Sequence, residues 1–291
     1  MTTAISTSPT GSCGWMRGRS PASKKQAWNS PDAIRPSMSG LDTLTDPRLW
    51  PDGRREELPF LEPGDVHLWS AGLDALDPTD LQLPLDAAEH SRAAAFRFAR
   101  DAHRFRVAMW MRRSILGRYL GKEPADIRFC TGPYGRPEFD LSDFPRGLRF
   151  NASHSGGVSI LALTLDNPIG VDIEIPRPLP DFVQMAHAIF HPSEWRAIVA
   201  MGDPADREAA FYRCWTRKEA IAKGVGLGLN LPFDRFAVET TPIKAPVITA
   251  IEPGLDLESS WNLRDFSATH VYAAVATSCA PRLLACRSWL P

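Results

Sequence analysis

The spacing of apolar residues along the chain predicts short strands separated by two long helical regions. Residues 66–69 alternate apolar and polar side chains after a Pro-Gly-Asp turn, which is typical of a strand. Between residues 87 and 120 a set of apolar side chains recurs every four positions and so forms one face of a helix. The members of this set are Val107, Met111, Ile115 and Tyr119. A second helical region, 180–223, is predicted to break near 190–192, where the sequence reads Phe-His-Pro.

Apolar runs bounded by turn residues predict further strands between and after these helices. These strands are 127–129, 148–150, 158–165 and 169–175. The remaining sequence, to about Ser278, alternates short apolar runs with turn residues, which favours antiparallel strands. The run at 271–277 resembles the run at 158–164, and this echo indicates a duplicated unit. We therefore expect an N-terminal half at 61–164 and a C-terminal half at 165–291.

The first 60 residues differ in composition from the rest of the chain. They are rich in Ser, Thr, Pro and Gly and have no sustained apolar period, so we expect this extension to be disordered. Basic residues precede the first acid, Asp32, a bias that resembles an organelle transit peptide. The alternative, which we favour, is a non-functional extension or a true start at Met38.

Composition and charge narrow the class of protein. A formal net charge of -1 over 291 residues argues against a nucleic-acid-binding protein. Five cysteines without a C-x-x-C spacing indicate reduced thiols rather than disulfides or a zinc site. No apolar run approaches the ~20 residues of a membrane helix. We therefore expect a cytoplasmic protein that binds neither nucleic acid nor membrane.

Two carboxylates are predicted on one face of the strand at 169–175. Because side chains alternate along a strand, Asp172 and Glu174 project to one side, and Val171 and Ile173 point into a core. Like charges held this close repel unless a cation lies between them, and Mg²⁺ prefers such oxygen ligands. The alternative is an exposed edge-strand pair that faces solvent.

A third carboxylate lies on the second helical region. Phe211, Trp215 and Glu219 are spaced by four and share a helix face, and Lys223 follows one turn later. On a partly buried face, this pair would suit a general base beside an anion-binding cation. The alternative is an ordinary surface Glu–Lys pair of the kind common on helices.

Small polar residues and arginines supply candidate phosphate ligands. The segment 150–157, predicted as a loop, contains Ser153 and His154 beside glycines whose amides could cradle phosphate oxygens. Nucleophilic catalysis by this Ser-His pair is disfavoured because adjacent residues rarely form a nucleophile–base pair. Arg136 lies in a Gly-Arg-Pro turn. The segment 92–118 holds eight arginines and one acid, so it is either a solvated helix face or a surface for an anion or acidic partner.

The order and spacing of four motifs resemble the 4′-phosphopantetheinyl transferases, in particular the surfactin-synthetase-activating (Sfp) type. The motifs are G-R-P, F-N-A-S-H-S-G, I-G-V-D-I-E and W-T-R-K-E-A-I-A-K-G. The resemblance covers about residues 63–280. It implies an α+β fold in which two similar halves form a pseudo-dimer within one chain, with coenzyme A bound between them.

The resemblance also implies a set of site residues. Asp172, Glu174 and Glu219 match the acids that bind Mg²⁺ in this family. Glu219 would accept a proton, while Lys223 and His154 would meet charge on the leaving group. The residues implied to contact coenzyme A are Arg92, Arg104, Arg136, Ser153, His154 and Lys223.

The implied activity is transfer of phosphopantetheine from coenzyme A to a serine of an apo carrier protein (acyl, peptidyl or polyketide), releasing 3′,5′-ADP. We expect the protein to act as a monomer. Two alternatives stay open, a magnesium-dependent phosphohydrolase on coenzyme A or nucleotides and a catalytically silent carrier-binding protein. Two residues depart from the family pattern. Arg136 replaces a commoner lysine, and Glu89 falls where relatives often carry a basic residue.

Overall fold

The computed structural model describes residues 60–75, 83–131, 137–139, 147–258, 260–268 and 270–289. The expected extension therefore lies, apart from Phe60, outside the described residues. The helices and strands are β1 (Asp65–Gly72), α1 (Ala87–Ala94), α2 (Ala99–Leu120), β2 (Phe129–Thr131), β3 (Pro137–Phe139), β4 (Leu148–Ser155), β5 (Val158–Leu165), β6 (Ile169–Glu174), α3 (Phe182–Ile189), α4 (Pro192–Val199), α5 (Pro204–Val225), β7 (Phe236–Val238), β8 (Ile248–Ile251), β9 (Asn262–Asp265), β10 (Tyr272–Thr277) and β11 (Leu283–Ser288).

The first sheet has the strand order β11-β1-β5-β4 and packs against helix α2. The stripe predicted from the four-residue period is confirmed, because Val107, Met111 and Ile115 are buried against this sheet. The last strand was not expected here. β11 belongs to the segment assigned to the C-terminal half, yet it pairs in parallel with β1, Asp65 lying opposite Leu283.

The second sheet has the order β6-β10-β9 and packs against helix α5. β6 and β10 are antiparallel, with Asp172 opposite Ala274. Ala274 and Ala276 of β10 lie in the same apolar cluster as Phe211 and Ile221 of α5. The small side chains of the strand let the helix approach closely.

A separate apolar cluster joins the two sheets. It receives Leu68 from β1, Ile160 from β5, Val171 and Ile173 from β6, and Val275 from β10. The prediction that Val171 and Ile173 face a core is therefore confirmed. The opposite face of β6, which carries Asp172 and Glu174, is left to α5 and β4.

Both predicted helical regions are more interrupted than the sequence indicated. The region 87–120 is two helices, because Phe98 adopts an extended backbone and α2 starts after it. The region 180–223 breaks near 190–192 as predicted, and breaks a second time before α5. There Asp203 caps the helix, its Oδ1 accepting a hydrogen bond from the Ala205 N–H at 2.8 Å. Within the described residues, no helix is both long and apolar enough to cross a lipid bilayer.

Candidate active site

Strand β4 runs through the polar segment that we predicted to be a loop, and that prediction is wrong. β4 continues to Ser155, which lies opposite Val158 of β5. Its even-numbered side chains as far as Ala152 extend the apolar face that packs toward α2. Its odd-numbered side chains are polar and find hydrogen-bond partners on β6, so this polar run can form a partly buried strand. These residues are Asn151, Ser153 and Ser155.

The odd-numbered side chains connect β4 of the first sheet to β6 of the second. Asn151 Oδ1 accepts a hydrogen bond from the Val171 N–H at 2.9 Å. Ser155 Oγ donates to Glu174 Oε2 at 2.8 Å and accepts from the Ile175 N–H at 3.1 Å. These bonds hold two separate sheets together at the edge where the carboxylates lie.

Asp172 lies at the centre of this junction and is only 3% exposed. Its Oδ1 accepts hydrogen bonds from Lys223 Nζ at 2.6 Å and from Ser153 Oγ at 2.8 Å. Lys223 Nζ also lies 3.0 Å from Ser153 Oγ and 3.3 Å from the Val171 carbonyl oxygen. Lys223 therefore reaches from α5 across to β6, which argues against an ordinary surface pair with Glu219.

The second oxygen of Asp172 has a different environment. Asp172 Oδ2 is buried and receives no hydrogen bond from the residues that the structure describes. A buried acceptor without a donor costs on the order of 1–3 kcal/mol. This oxygen is therefore open to a cation.

Glu219 and Glu174 are close enough to Asp172 to sense its charge. Glu219 is 8% exposed. Burial raises the pKa of Glu219 to about 7 against the lowering effect of Lys223, and the charges of Asp172 and Glu174 raise it further. Burial raises the pKa of Glu174 as well, opposed by its hydrogen bond from Ser155, and Asp172 adds to the rise. The arrangement thus concentrates negative charge that a cation would stabilise.

Binding of Mg²⁺ by these residues requires suitable donor atoms and an arrangement that brings those atoms to one point. In the described ranges, no group of three or more His, Cys, Asp or Glu side chains is arranged to hold a metal ion as it stands. The donor chemistry does fit, because Asp172, Glu174 and Glu219 offer carboxylate oxygens, and one of these is buried without a donor among the described residues. Binding of one ion by all three would require these carboxylates to move closer together.

Because side chains alternate along a strand, His154 lies on the opposite face of β4 from Ser153. His154 borders a cavity of about 270 Å³ between the start of α2 and the β4–β5 turn. Partial burial lowers the pKa of His154, and the nearby charges of Arg112, Lys223 and Arg92 lower it further. Asp172 acts in the opposite direction, and the net effect is a lowered pKa that favours the neutral imidazole. The cavity is lined by Phe96, Asp101, Arg104, Phe105, His154, Ser155 and Gly156.

Arg104 is held in the cavity wall by Asp74, a carboxylate that the sequence analysis did not single out. Arg104 Nε donates to Asp74 Oδ1 at 2.7 Å and Nη2 donates to Oδ2 at 2.6 Å. These hydrogen bonds lower the pKa of Asp74. Gly157 gives the pair room, since a Cβ there would lie 2.5 Å from Asp74 Oδ2. No local pattern marks Asp74, because it is 30 residues from its partner.

The remaining predicted substrate residues have different positions. Arg92 is exposed on α1 with its guanidinium carbon 5.4 Å from the ring centroid of Phe105, which lines the cavity. Arg136 lies outside the described residues. Glu89 completes the capping box of α1 and accepts a hydrogen bond from Arg113 Nε at 2.8 Å. Glu89 is therefore engaged in holding α1 to α2.

The fold and site together define an α+β protein that combines a carboxylate cluster with a basic cavity, which suits a phosphate-bearing substrate. The family model of the 4′-phosphopantetheinyl transferase superfamily matches residues 168–276, which include β6, α5 and β10. The 4′-phosphopantetheinyl transferase HetI of Nostoc sp. is 35% identical over 61% of this chain and 75% of its own length. The chain therefore belongs to the 4′-phosphopantetheinyl transferase superfamily.

Other known proteins match this chain over a smaller share of its length or at lower sequence identity. The 4′-phosphopantetheinyl transferase Sfp of Bacillus subtilis is 35% identical over 52% of this chain and 64% of its own length. The L-aminoadipate-semialdehyde dehydrogenase-phosphopantetheinyl transferase of Mus musculus is 28% identical over 74% and 65%, respectively. A solved holo-[acyl-carrier-protein] synthase from Neisseria meningitidis overlays 38% of this chain at 20% identity with a TM-score of 0.29, which carries no argument about the fold.

Proposed function

We propose that this protein transfers the 4′-phosphopantetheine group of coenzyme A to a serine hydroxyl of an apo carrier domain (acyl, peptidyl or polyketide) and releases 3′,5′-ADP. Membership of the superfamily supports this activity, and the matched region contains β6 and α5. The observation at the site that supports it most directly concerns Asp172. Lys223 Nζ and Ser153 Oγ both donate to its Oδ1, whereas no described residue donates to its buried Oδ2.

Asp172, Glu174 and Glu219 would hold Mg²⁺ in this proposal. When bound, the ion would neutralise charge on the diphosphate of coenzyme A and on the phosphoryl group under attack. Lys223 and Ser153 fix the orientation of Asp172 through its Oδ1, and Oδ2 would be the oxygen that binds the cation. Ser155 orients Glu174 in the same way from the neighbouring position on β4.

Glu219 would accept the proton of the attacking serine hydroxyl, directly or through a water. A partly desolvated carboxylate is a stronger base than an exposed one, which suits general base catalysis near neutral pH. The attacking hydroxyl comes with the carrier domain, so this chain need not supply a nucleophile. The exposed Arg97 and Arg100 near the start of α2 would attract carriers of acidic surface.

Lys223 and His154 would meet the negative charge of the departing 3′,5′-ADP. Lys223 is about a quarter exposed and lies at the β4–β6 junction, where it can exchange contacts with Asp172 for contacts with a phosphate. His154 borders the cavity beside Arg104. Ser153, Arg92 and the turn that contains Arg136 would complete the contacts to coenzyme A. In this arrangement, Ser153 of β4 contacts the carboxylate Asp172, and His154 borders the cavity that contains Arg104.

The two similar halves expected from the sequence are part of the same proposal. The echo between 158–164 and 271–277 falls on β5 and β10, and each of these strands has a neighbour on both sides in its own sheet. Coenzyme A would bind where β4 of one sheet meets β6 of the other. Because both sheets come from one chain, a cytoplasmic monomer would suffice, and neither nucleic acid nor a membrane is required.

Glu219→Gln tests the role of the base. The variant should fold and bind coenzyme A, and its transfer rate to an apo carrier should fall to near background. Glu208→Gln on the same helix is the matched control and should keep the wild-type rate. Wild-type turnover by Glu219→Gln would contradict the assignment. Phosphate release without a carrier would favour the phosphohydrolase, and carrier binding without a gain in mass would favour the silent binding protein.

A further inference from the structure

Tyr212 of α5 is bonded to the backbone of the segment that follows β6. Its hydroxyl donates a hydrogen bond to the Arg177 carbonyl oxygen at 3.0 Å and accepts one from the Arg177 N–H at 3.2 Å. Tyr212 is buried. Because one hydroxyl bonds to both backbone groups of Arg177, Tyr212 holds this residue as a neighbouring strand would.

The end of β6 is the part of the strand that needs such support. β6 ends at Glu174, and its pairing with β10 ends at the same residue. Two residues later, Pro176 has no N–H that could extend the pairing. The end of an element opens more easily than its middle. Glu174, one of the acids proposed to bind Mg²⁺, therefore depends in part on contacts beyond the strand.

The ring of Tyr212 reaches Glu174 by a second route. It stacks on the ring of Tyr272, with the ring centroids 5.5 Å apart and an angle of 12° between the planes. Tyr272 lies opposite Glu174 in the pairing of β10 with β6. Residues directly opposite in an antiparallel pair project to the same side of the sheet. The Tyr272 ring therefore lies on the side of the sheet that carries the Glu174 carboxylate.

Tyr212 also shares a face of α5 with Glu219. Steps of four, three and four residues lead from Tyr212 through Thr216 and Glu219 to Lys223. One continuous helix therefore carries Glu219 and, two turns earlier, the residue that holds the end of β6. Through this contact, Tyr212 fixes the helix of one candidate ligand relative to the strand of another.

We propose that Tyr212 is a positioning residue that holds Glu174 in place for a divalent cation, through the backbone of Arg177 and the ring of Tyr272. This proposal rests on the proposed function, and it assigns a role to a residue that no step of the proposed transfer uses. Removal of a group that orients a metal ligand typically weakens metal binding about 10–100-fold. Because Tyr212 acts on Glu174 through other residues, we expect a change at the lower end of this range.

The test measures Mg²⁺ binding by isothermal titration calorimetry of the protein saturated with coenzyme A, together with the Mg²⁺ dependence of carrier modification. Tyr212→Phe keeps the ring and removes the hydroxyl, so its Kd for Mg²⁺ should rise about tenfold. The Mg²⁺ concentration that gives the half-maximal rate should rise by a similar factor. The rate at saturating Mg²⁺ should stay within about twofold of the wild type, because the lost contact serves binding.

Tyr119→Phe is the matched control. The Tyr119 hydroxyl also has two partners, His67 Nδ1 at 2.7 Å and Trp69 Nε1 at 3.1 Å, but both belong to the first sheet. This variant should lose stability with no change in either Mg²⁺ value. Tyr272→Leu removes the stacked ring and keeps the hydrogen bonds of Tyr212. It is the second variant if Tyr212→Phe does not fold, and its Kd for Mg²⁺ should rise about threefold, as the loss of one aromatic pair would give.

Unchanged Mg²⁺ values for Tyr212→Phe would overturn the role of Tyr212. An equal rise for Tyr119→Phe would overturn it as well, because the effect would then follow from a general loss of stability. Absence of Mg²⁺ binding by the wild-type protein would contradict the proposed metal site and this role with it. A wild-type protein that binds Mg²⁺ but modifies no carrier would contradict the proposed function, and the calorimetry would still decide the role of Tyr212.

Discussion

Replacing Gly170 with alanine should push helix α5, which carries Glu219, away from strand β6, which carries Asp172. Gly170 lies on the same face of β6 as Asp172, the face against which α5 packs. A Cβ at this position would lie 2.0 Å from the Ala220 carbonyl oxygen and 2.4 Å from the Gly224 nitrogen. Both are backbone atoms of α5, so no side-chain rotation can relieve the overlap.

The size of the effect follows from these distances. Ordinary contact with a Cβ begins at 3.4 Å, so α5 and β6 have to separate by more than an ångström. Overpacking of this kind costs about 1–3 kcal/mol in the free energy of unfolding, occasionally more. Glu219 and Lys223 adjoin the overlap on the same helix. A shift of this size would break the 2.6 Å contact between Lys223 Nζ and Asp172 Oδ1, because hydrogen bonds weaken steeply with distance.

The assay combines chemical denaturation with carrier modification at a temperature where the variant is fully folded. We expect Gly170→Ala to lose about 1–3 kcal/mol of stability and at least about tenfold in transfer rate, as the loss of one charge-assisted contact would give. Gly202→Ala is the matched control, because no described heavy atom lies within 4 Å of its added Cβ, and it should resemble the wild type. A folded Gly170→Ala with the wild-type transfer rate would refute the claim that this contact sets the site.

Two further predictions concern stability. Lys218 is 0% exposed and its Nζ lies 2.8 Å from Glu194 Oε2, so Lys218→Met should cost about 3–5 kcal/mol in urea denaturation by leaving a buried carboxylate unpaired; adding Glu194→Gln should recover part of this loss, and no recovery would argue against the pair. His67 is buried, and burial lowers its pKa from 6.5 to about 4, so the imidazole is neutral in the folded protein. The stability of the folded state is therefore full above pH 6.5 and falls as the pH drops toward 4, because the imidazole of the unfolded chain takes up a proton first. About 2 kcal/mol should be lost between pH 7 and pH 5, and a His67→Gln variant with an unchanged pH dependence of unfolding would contradict this.

The parts of the site that depend on local periodicity could be predicted from the sequence. Alternation along β6 placed Asp172 and Glu174 on one face because a strand has a period of two wherever it lies in the fold. The four-residue spacing in α5 likewise placed Glu219 on a face that the structure shows to be buried. The motifs also resembled one family, and the comparisons confirm that the chain belongs to it. The roles of the three acids stay predictions.

The parts that depend on remote partners could not be predicted in this way. The polar segment of β4 was interpreted as a loop because the groups that satisfy Ser153 and Ser155 lie on β6 and are not visible in the local pattern. The same limit applies to the Asp74–Arg104 pair, whose members are 30 residues apart. It applies as well to β11, which crosses back to the first sheet.

The most direct test of the central claim is mass spectrometry of purified apo carrier domains incubated with this protein, coenzyme A and Mg²⁺. The panel should include fatty-acid, polyketide and peptide carriers, and Glu219→Gln should be assayed in parallel. The account predicts that at least one carrier gains the mass of one 4′-phosphopantetheine group on a serine, and that the variant produces no such gain. If every carrier keeps its original mass while the protein is folded and binds coenzyme A, the proposed transfer is contradicted.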